Sequence, residues 1–190
     1  MARKVKFMPG HYYHVFNRGA NRQPIFRAEE NYIFLLHRVK KYAAQFSISI
    51  IAYCLMPNHY HFLLRQDETA TISAFIQAVF NSYTKAFNKM FDRSGTLFEG
   101  PFQAILIDRD EYLIHLCRYI HCNPLEAKLV AHPGQWPFSN YLEWVEQRKG
   151  TLVDRALVRE WFPSSESYEQ FVLQEPHPRI AAEIEPLKLE

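Results

Sequence analysis

Two histidines separated by one residue are the first feature of this chain that could do chemistry. His59 and His61 flank Tyr60 in an apolar segment that follows the turn signal Pro57-Asn58, a pattern that predicts a β-strand over residues 59–65. Because residues two apart in a strand point to the same face, both imidazoles should project together. Two convergent imidazoles can bind one divalent cation. A single pair is a weak signal, since each histidine could also be a buried core residue with its own hydrogen bond.

A second candidate set lies on a predicted helix over residues 108–123, for which Asp108 is the expected N-cap. His115, Tyr119 and Asn123 are spaced by four residues, which places them on one face of this helix. Pro124 disfavours helical geometry in the residue before it, so we expect the helix to end at Asn123. The Asn123 amide would then lie at the negative end of the helix dipole, which favours a cation. Taken alone, packing would explain Tyr119, and a helix cap would explain Asn123.

Together, the strand histidines and the helix residues could form one metal site. His59, His61 and Asn123 would supply two nitrogen ligands and one oxygen ligand, and would leave positions open for substrate and water. We expect Mg²⁺ or Mn²⁺ there, since imidazole ligands favour Mn²⁺ while Mg²⁺ is more abundant in cells. A phenol has an ordinary pKa of about 10 and is a poor nucleophile, but a metal that polarises a phosphodiester would let Tyr119 attack it. One phosphoester replaces another, so no nucleotide is needed, and the sequence has no P-loop or dinucleotide fingerprint.

The periodicity of the chain predicts an α+β fold. Elements follow the order β-α-β-β-α-β and then a further helix, which indicates a ferredoxin-like antiparallel sheet with helices on one face, plus a catalytic helix and a C-terminal helical extension. The predicted strands cover residues 11–17, 47–56, 59–65 and 102–107, and the helices before the catalytic one cover 29–45 and 71–91. Residues 1–145 would form the functional domain. Residues 146–190 would be an extension rather than an independent domain, with helices near 140–147, 154–161 and 166–173 and an extended tail from residue 175.

Charge and composition narrow the class of protein. The 190 residues have a net charge of +2, yet residues 1–65 hold ten Lys and Arg against two acids. This excess of basic residues in the first third of the chain favours a polyanionic partner, although a solvated basic face explains it equally well. Three cysteines without CxxC spacing fit the reducing cytoplasm, and no stretch resembles a signal peptide or a membrane span. We therefore expect a cytoplasmic protein with no membrane partner.

Three ordered blocks resemble one known family, the single-tyrosine HUH transposases, and within it the REP-associated tyrosine transposases of bacteria. The blocks are Tyr13-His-Val-Phe-Asn-Arg-Gly19, Ala52 to Arg65 with its Met-Pro-Asn-His-Tyr-His core, and Glu111 to Pro124. The resemblance covers roughly residues 10–145 and implies a metal-dependent endonuclease and strand transferase for single-stranded DNA folded as a hairpin, in the bacterial nucleoid. It implies that His59 and His61 are the HUH histidines, that Tyr119 is the nucleophile of a 5′-phosphotyrosine intermediate, and that Asn123 is the third ligand. Some relatives are dimers, so a monomer and a homodimer both stay open.

The DNA-binding surface is less specified by the sequence. Arg18, Arg22 and Arg27 lie in or near the first loop and are the candidate phosphate contacts. Where relatives are expected to carry basic residues, near the fourth strand, this chain has Glu99-Gly-Pro-Phe-Gln103, which weakens the case for phosphate contacts there. The acidic tail could also fold over the DNA groove as a charge mimic, or it could be plain disorder.

Two other interpretations of the chain stay open at this stage. It could be a module that binds hairpin nucleic acid without cutting it. It could also be a zinc protein that uses some of His115, Cys117, His121 and Cys122 with the strand histidines, although no second cysteine pair completes a closed site.

Overall fold

A four-stranded antiparallel sheet forms the centre of the protein. The computed structural model describes residues 5–175, 178–187 and 189. Its strands are arranged in the order β2-β3-β1-β4, with every pairing antiparallel, and are β1 (Tyr12–Arg18), β2 (Ile48–Met56), β3 (His59–Gln66) and β4 (Gln103–Ile107). This order is that of a ferredoxin-like sheet, so the predicted α+β fold class is confirmed, and the observed strand bounds lie within one residue of the predicted ones.

Helices cover both faces of the sheet. Alternate residues of a strand point to opposite sides of the sheet, so Tyr13 and Val15 of β1 face one layer of helices and Phe16 faces the other. The first layer consists of α1 (Glu29–Phe46) and α2 (Ile72–Met90), the two helices of the ferredoxin-like unit. The second layer is built from α3 (Asp110–Glu126), α4 (Tyr141–Trp144), α5 (Ala156–Trp161), α6 (Ser165–Leu173) and α7 (Pro178–Ile184).

Helix α3 differs from its prediction at both ends. It begins at Asp110 with Arg109 at the N-cap position, so the expectation that Asp108 caps it is wrong; Asp110 and Glu111 in the first turn complement the helix dipole instead. The expectation that it ends at Asn123 is also wrong, because the helix continues through Pro124 to Glu126. A proline so near the end removes a single backbone hydrogen bond, and its own burial compensates for that loss. Asn123 therefore lies within the last turn rather than at the terminus.

The segment expected to be an extended tail is helical and packed. Helix α7 and the 3₁₀ turn Glu185–Leu187 lie against α3, and Ile180, Ile184 and Leu187 are buried in the same core as Tyr119 and Tyr168. The four-residue spacing of Ile180 and Ile184 gives this short segment an apolar side, which covers the part of α3 that the sheet leaves open. Residues 176, 177, 188 and 190 of the expected tail, Glu190 among them, lie outside the described residues. None of the helices in the described ranges combines the length and apolarity needed to cross a bilayer.

Candidate active site

The two strand histidines lie side by side on the sheet face that α3 covers. His59 and His61 are 1% and 0% exposed, and their ring centroids are 5.1 Å apart. Tyr60, between them, points into the opposite layer and stacks on Phe80. The alternation predicted from the sequence therefore holds, and it presents both imidazoles to the same buried space.

Helix α3 brings Asn123 to this pair. Asn123 Oδ1 lies 2.9 Å from His59 Nε2, while His59 Nδ1 lies 2.7 Å from Asn58 Oδ1. Burial lowers the pKa of His59 to about 4, against the opposing effect of the Asn123 contact, so the ring is neutral at pH 7. A neutral imidazole carries one N–H and can donate to only one of these two oxygens. One of the two amide oxygens beside His59 therefore faces a ring nitrogen that has no proton. A cation between these two lone pairs would remove their repulsion.

One unpartnered atom of the site fits a divalent cation. His61 Nε2 is buried and has no hydrogen-bond partner among the described residues, whereas Asn123 Nδ2, which is unpartnered as well, is a donor and cannot bind a cation. Burial, followed by the neighbouring charges of His59 and His14, lowers the pKa of His61 well below its usual value, so its ring is also neutral. The 2.9 Å between His59 Nε2 and Asn123 Oδ1 is close to the ~3.0 Å that separates adjacent ligands of an octahedral ion with bonds of about 2.1 Å. Two imidazole nitrogens and one amide oxygen are suitable ligands for Mn²⁺ or Mg²⁺.

The zinc interpretation finds no site in the described part of the chain. No group of three or more His, Cys, Asp and Glu side chains is placed there to hold a metal ion. His121 instead contacts Tyr168 and Asn140, and the Cys122 thiol points to the Val172 carbonyl. A third ligand beside His59 and His61 could be the Asn123 amide oxygen, which contacts His59.

Tyr119 lies one helical turn before Asn123, next to the histidine pair. Its ring centroid is 5.3 Å from that of His61, and the two rings meet edge to face. The side chain is 2% exposed, and its hydroxyl donates a hydrogen bond of 3.2 Å to the Leu187 carbonyl in the 3₁₀ turn after α7. The C-terminal segment therefore covers the candidate nucleophile. His115, the third residue of the predicted series, packs on Phe171 instead.

The three candidate DNA-binding arginines occupy different surroundings. Arg18 pairs with His59 across β1 and β3, and its guanidinium forms an ion pair with Glu99. Arg22 is exposed in the turn Ala20–Arg22. Arg27 lies over the rings of Phe87 and Phe91 beside the first helical layer. Among these three, Arg18 is the one that the strand pairing places beside the histidine pair.

One residue of the site received no role from the sequence. His14 is fully buried on the same sheet face, and its Nε2 lies 3.0 Å from His61 Nδ1. The available signal was the alternation of β1, which puts residues 14, 16 and 18 on one face. This alternation places His14 next to His61 only when the pairing of β1 with β3 is known.

The fold and the site together define a class: a ferredoxin-like sheet that presents a histidine pair to a helix carrying tyrosine and asparagine. Residues 7–123 match the family model described as transposase IS200-like. This match spans more than half of the chain, so the protein belongs to the IS200-like transposase family. The family resemblance predicted from the three sequence blocks is confirmed.

A solved structure of a transposase shares this fold. The structure described as a REP-associated tyrosine transposase bound to a REP hairpin is similar with a TM-score of 0.65 at 18% identity, over 83% of this chain and 96% of that one. A candidate transposase from Deinococcus radiodurans gives a TM-score of 0.45 at 17% identity, over 63% of this chain and 95% of that one. A search among curated proteins gives no significant match.

Proposed function

We propose that the protein is a metal-dependent single-strand DNA endonuclease and strand transferase that acts on hairpin DNA. The observation that carries this proposal is the convergence of His59, His61 and Asn123 beside the Tyr119 ring, in a chain of the IS200-like transposase family. The three ligands would hold Mg²⁺ or Mn²⁺, which when bound would polarise the scissile phosphate and stabilise the charge that develops on it. His59 and His61 are neutral at pH 7, the state in which imidazole binds a metal.

The proposed step is a transesterification at phosphorus. The Tyr119 oxygen forms a bond to the phosphorus atom of the DNA backbone, and the bond from that phosphorus to the 3′ oxygen breaks. The tyrosine loses its proton, the departing 3′ oxygen gains one, and the 5′ phosphate stays on Tyr119. Attack by another 3′-hydroxyl reverses the step and joins strands. Since one phosphodiester-type bond replaces another, the exchange needs no nucleotide cofactor.

The proposed substrate is single-stranded DNA with a hairpin. A solved structure with the same fold is described as bound to a REP hairpin, which supports this choice. Arg18, Arg22 and Arg27 are the proposed phosphate contacts, and Arg18 lies closest to the chemistry because it pairs with His59. The domain would comprise residues 1–145, with residues 146–190 as its extension, in a monomer or a homodimer of the bacterial nucleoid.

A covalent adduct tests the proposal directly. The full-length protein is incubated with a labelled DNA hairpin carrying single-stranded flanks, in Mn²⁺ or in EDTA, and resolved under denaturing conditions. We expect an adduct that requires the metal and disappears in Tyr119→Phe. Tyr112→Phe removes a phenol from the same helix and should leave the adduct intact. An adduct that persists in Tyr119→Phe, or that forms in EDTA, would contradict the proposed mechanism.

A second candidate function is a module that binds hairpin DNA without cutting it. The observation that favours it is the Tyr119 hydroxyl, which is buried and donates to the Leu187 carbonyl rather than facing solvent. For such a module, hairpin binding would be equal in Mn²⁺ and EDTA and no adduct would form, even with the C-terminal segment removed.

A further inference from the structure

His14 is a third buried imidazole in the site, and the proposed chemistry does not use it. Strand β1 pairs with β3 so that Phe16 is opposite His61, which makes His14 the diagonal neighbour of His61 on the same face. The two rings are nearly parallel, 17° apart, with centroids separated by 5.2 Å. His14 Nε2 and His61 Nδ1 are 3.0 Å apart, within hydrogen-bond distance.

This contact determines where the proton of His61 lies. Two neutral imidazoles can share a hydrogen bond only if one ring donates an N–H and the other offers a lone pair. If His14 donates, the remaining N–H of His61 lies on Nε2, and that atom cannot bind a metal. If His61 donates from Nδ1, its Nε2 keeps a lone pair. His61 Nε2 is the buried atom without a hydrogen-bond partner among the described residues.

We propose that His14 is a positioning residue, which accepts a hydrogen bond from His61 Nδ1 and thereby fixes the tautomer and the orientation of His61 for metal binding at Nε2. The inference rests on the proposed function, because it assumes a metal at His59, His61 and Asn123. Partners of this kind on the second nitrogen of a ligating histidine are a general feature of metal sites.

The burial of His14 supports a role beyond packing. The side chain is 0% exposed, and its Nδ1 has no hydrogen-bond partner among the described residues. Burying a polar atom without a partner destabilises the folded state, and a phenylalanine would fill the same space without that cost. An imidazole at this position is therefore explained by its contact with His61 rather than by the volume it occupies.

Metal binding by two variants tests the role. His14→Gln retains an acceptor near the position of Nε2, whereas His14→Phe retains the ring volume and removes the acceptor. We expect His14→Phe to weaken Mn²⁺ binding by about 10- to 100-fold, measured by calorimetry or Mn²⁺ electron paramagnetic resonance on the full chain without DNA, and His14→Gln to stay close to wild type. Tyr13→Phe, a buried change in the same strand on the opposite sheet face, should not alter it. Hairpin affinity in EDTA should be equal in all four proteins.

Two results would overturn the role of His14 while leaving the metal site intact. Unchanged Mn²⁺ affinity in His14→Phe would show that the contact does not matter, and equal losses in His14→Gln and His14→Phe would show that the imidazole itself is needed, as in a direct ligand. A wild-type protein that binds no Mn²⁺ would instead contradict the proposed function, and this inference with it.

A spectroscopic measurement on the wild-type protein requires no variant to fold. Long-range proton–nitrogen correlation spectra distinguish the two neutral tautomers of each histidine. We expect His61 to carry its proton on Nδ1 in the metal-free protein at pH 7. A His61 proton on Nε2 would contradict the proposal.

Discussion

At the scale of single residues, the ion pair between Arg18 and Glu99 would limit the positive charge that the proposed DNA-binding surface offers to a phosphate. Arg18 lies beside His59, and its guanidinium contacts both carboxylate oxygens of Glu99. The Arg18 guanidinium holds the pKa of that carboxyl below its usual range, so Glu99 stays ionised at pH 7. If Arg18 contacts DNA as proposed, a phosphate would have to compete with Glu99 for this arginine.

Replacing Glu99 by glutamine should strengthen DNA binding. In Glu99→Gln the guanidinium is released, and one additional phosphate contact steepens the salt dependence of binding by about 0.7 in logarithmic slope. Fluorescence anisotropy of a labelled hairpin in EDTA, across a salt series, measures both quantities. Glu30→Gln removes the same charge at an exposed site on α1 and serves as the control. Equal effects in the two variants would mean that net charge alone is responsible.

The residues of the site divide into those that local spacing determines and those that it does not. His59 and His61 share a face because they are two apart in a strand, and Tyr119 and Asn123 share one because they are four apart in a helix. The contacts of His14 and of Glu99 depend on which strands and loops become neighbours in space, and no local pattern specifies that. This is why the spacing of the sequence pointed to the set around His59 and gave no indication of the contact between His14 and His61.

At the scale of elements, helix α3 is fixed to the sheet and to α6 by one buried histidine. His121 Nδ1 lies 2.6 Å from the Tyr168 hydroxyl, and its Nε2 lies 3.0 Å from Asn140 Oδ1. The Asn140 amide also donates to the Ile51 carbonyl of β2. This network joins α3, α6 and the central sheet, so it holds the helix that carries Tyr119 in place.

The network predicts an acid-sensitive fold. Burial lowers the pKa of His121 to about 4, below its unfolded value of about 6.5, so below pH 6.5 the unfolded chain binds a proton that the folded chain does not. The stability that neutral His121 supports is therefore present above pH 6.5 and is lost as the pH falls towards 4, by up to about 1.4 kcal/mol per pH unit. Urea unfolding in EDTA between pH 7 and 5 should show a smaller pH slope in His121→Gln. Parallel curves for the two proteins would contradict this.

Element boundaries were predicted less well than element types. The strands and the first two helices follow from clear periodicity, and their bounds match closely. Helix α3 passes through Pro124 because buried packing outweighs one lost hydrogen bond, a balance that proline rules alone do not contain. The C-terminal segment was expected to be extended because its prolines and acids dominate its composition. Its two isoleucines bury against α3 and form a helix instead.

At the scale of the whole molecule, the C-terminal segment closes the site. The Leu187 carbonyl accepts a hydrogen bond from the Tyr119 hydroxyl. Glu183 forms an ion pair with Arg109 near the start of α3. Leu189 lines a cavity of about 420 Å³ together with Arg18 and Glu99. Glu183, one of the acids of the charge-mimic hypothesis, contacts an arginine of α3 rather than an empty groove. The buried side chains of Ile184 and Leu187 also hold the segment against α3. Because Tyr119 is buried under this segment, the proposed attack on DNA would require the segment to move first.

Removing residues 178–190 should therefore activate cleavage. If the closed arrangement is favoured by about 1.4 kcal/mol or more, the rate of adduct formation should rise by about tenfold or more, because the competent fraction limits the observed rate. Truncation also exposes the apolar side of α3, so Ile184→Asp, which displaces the segment without deleting it, provides a second variant, and thermal unfolding checks that both proteins fold. Leu173→Asp, an exposed change on α6, is the control. A folded truncation that forms adduct no faster than the full chain would show that the segment stabilises α3 without restraining the tyrosine.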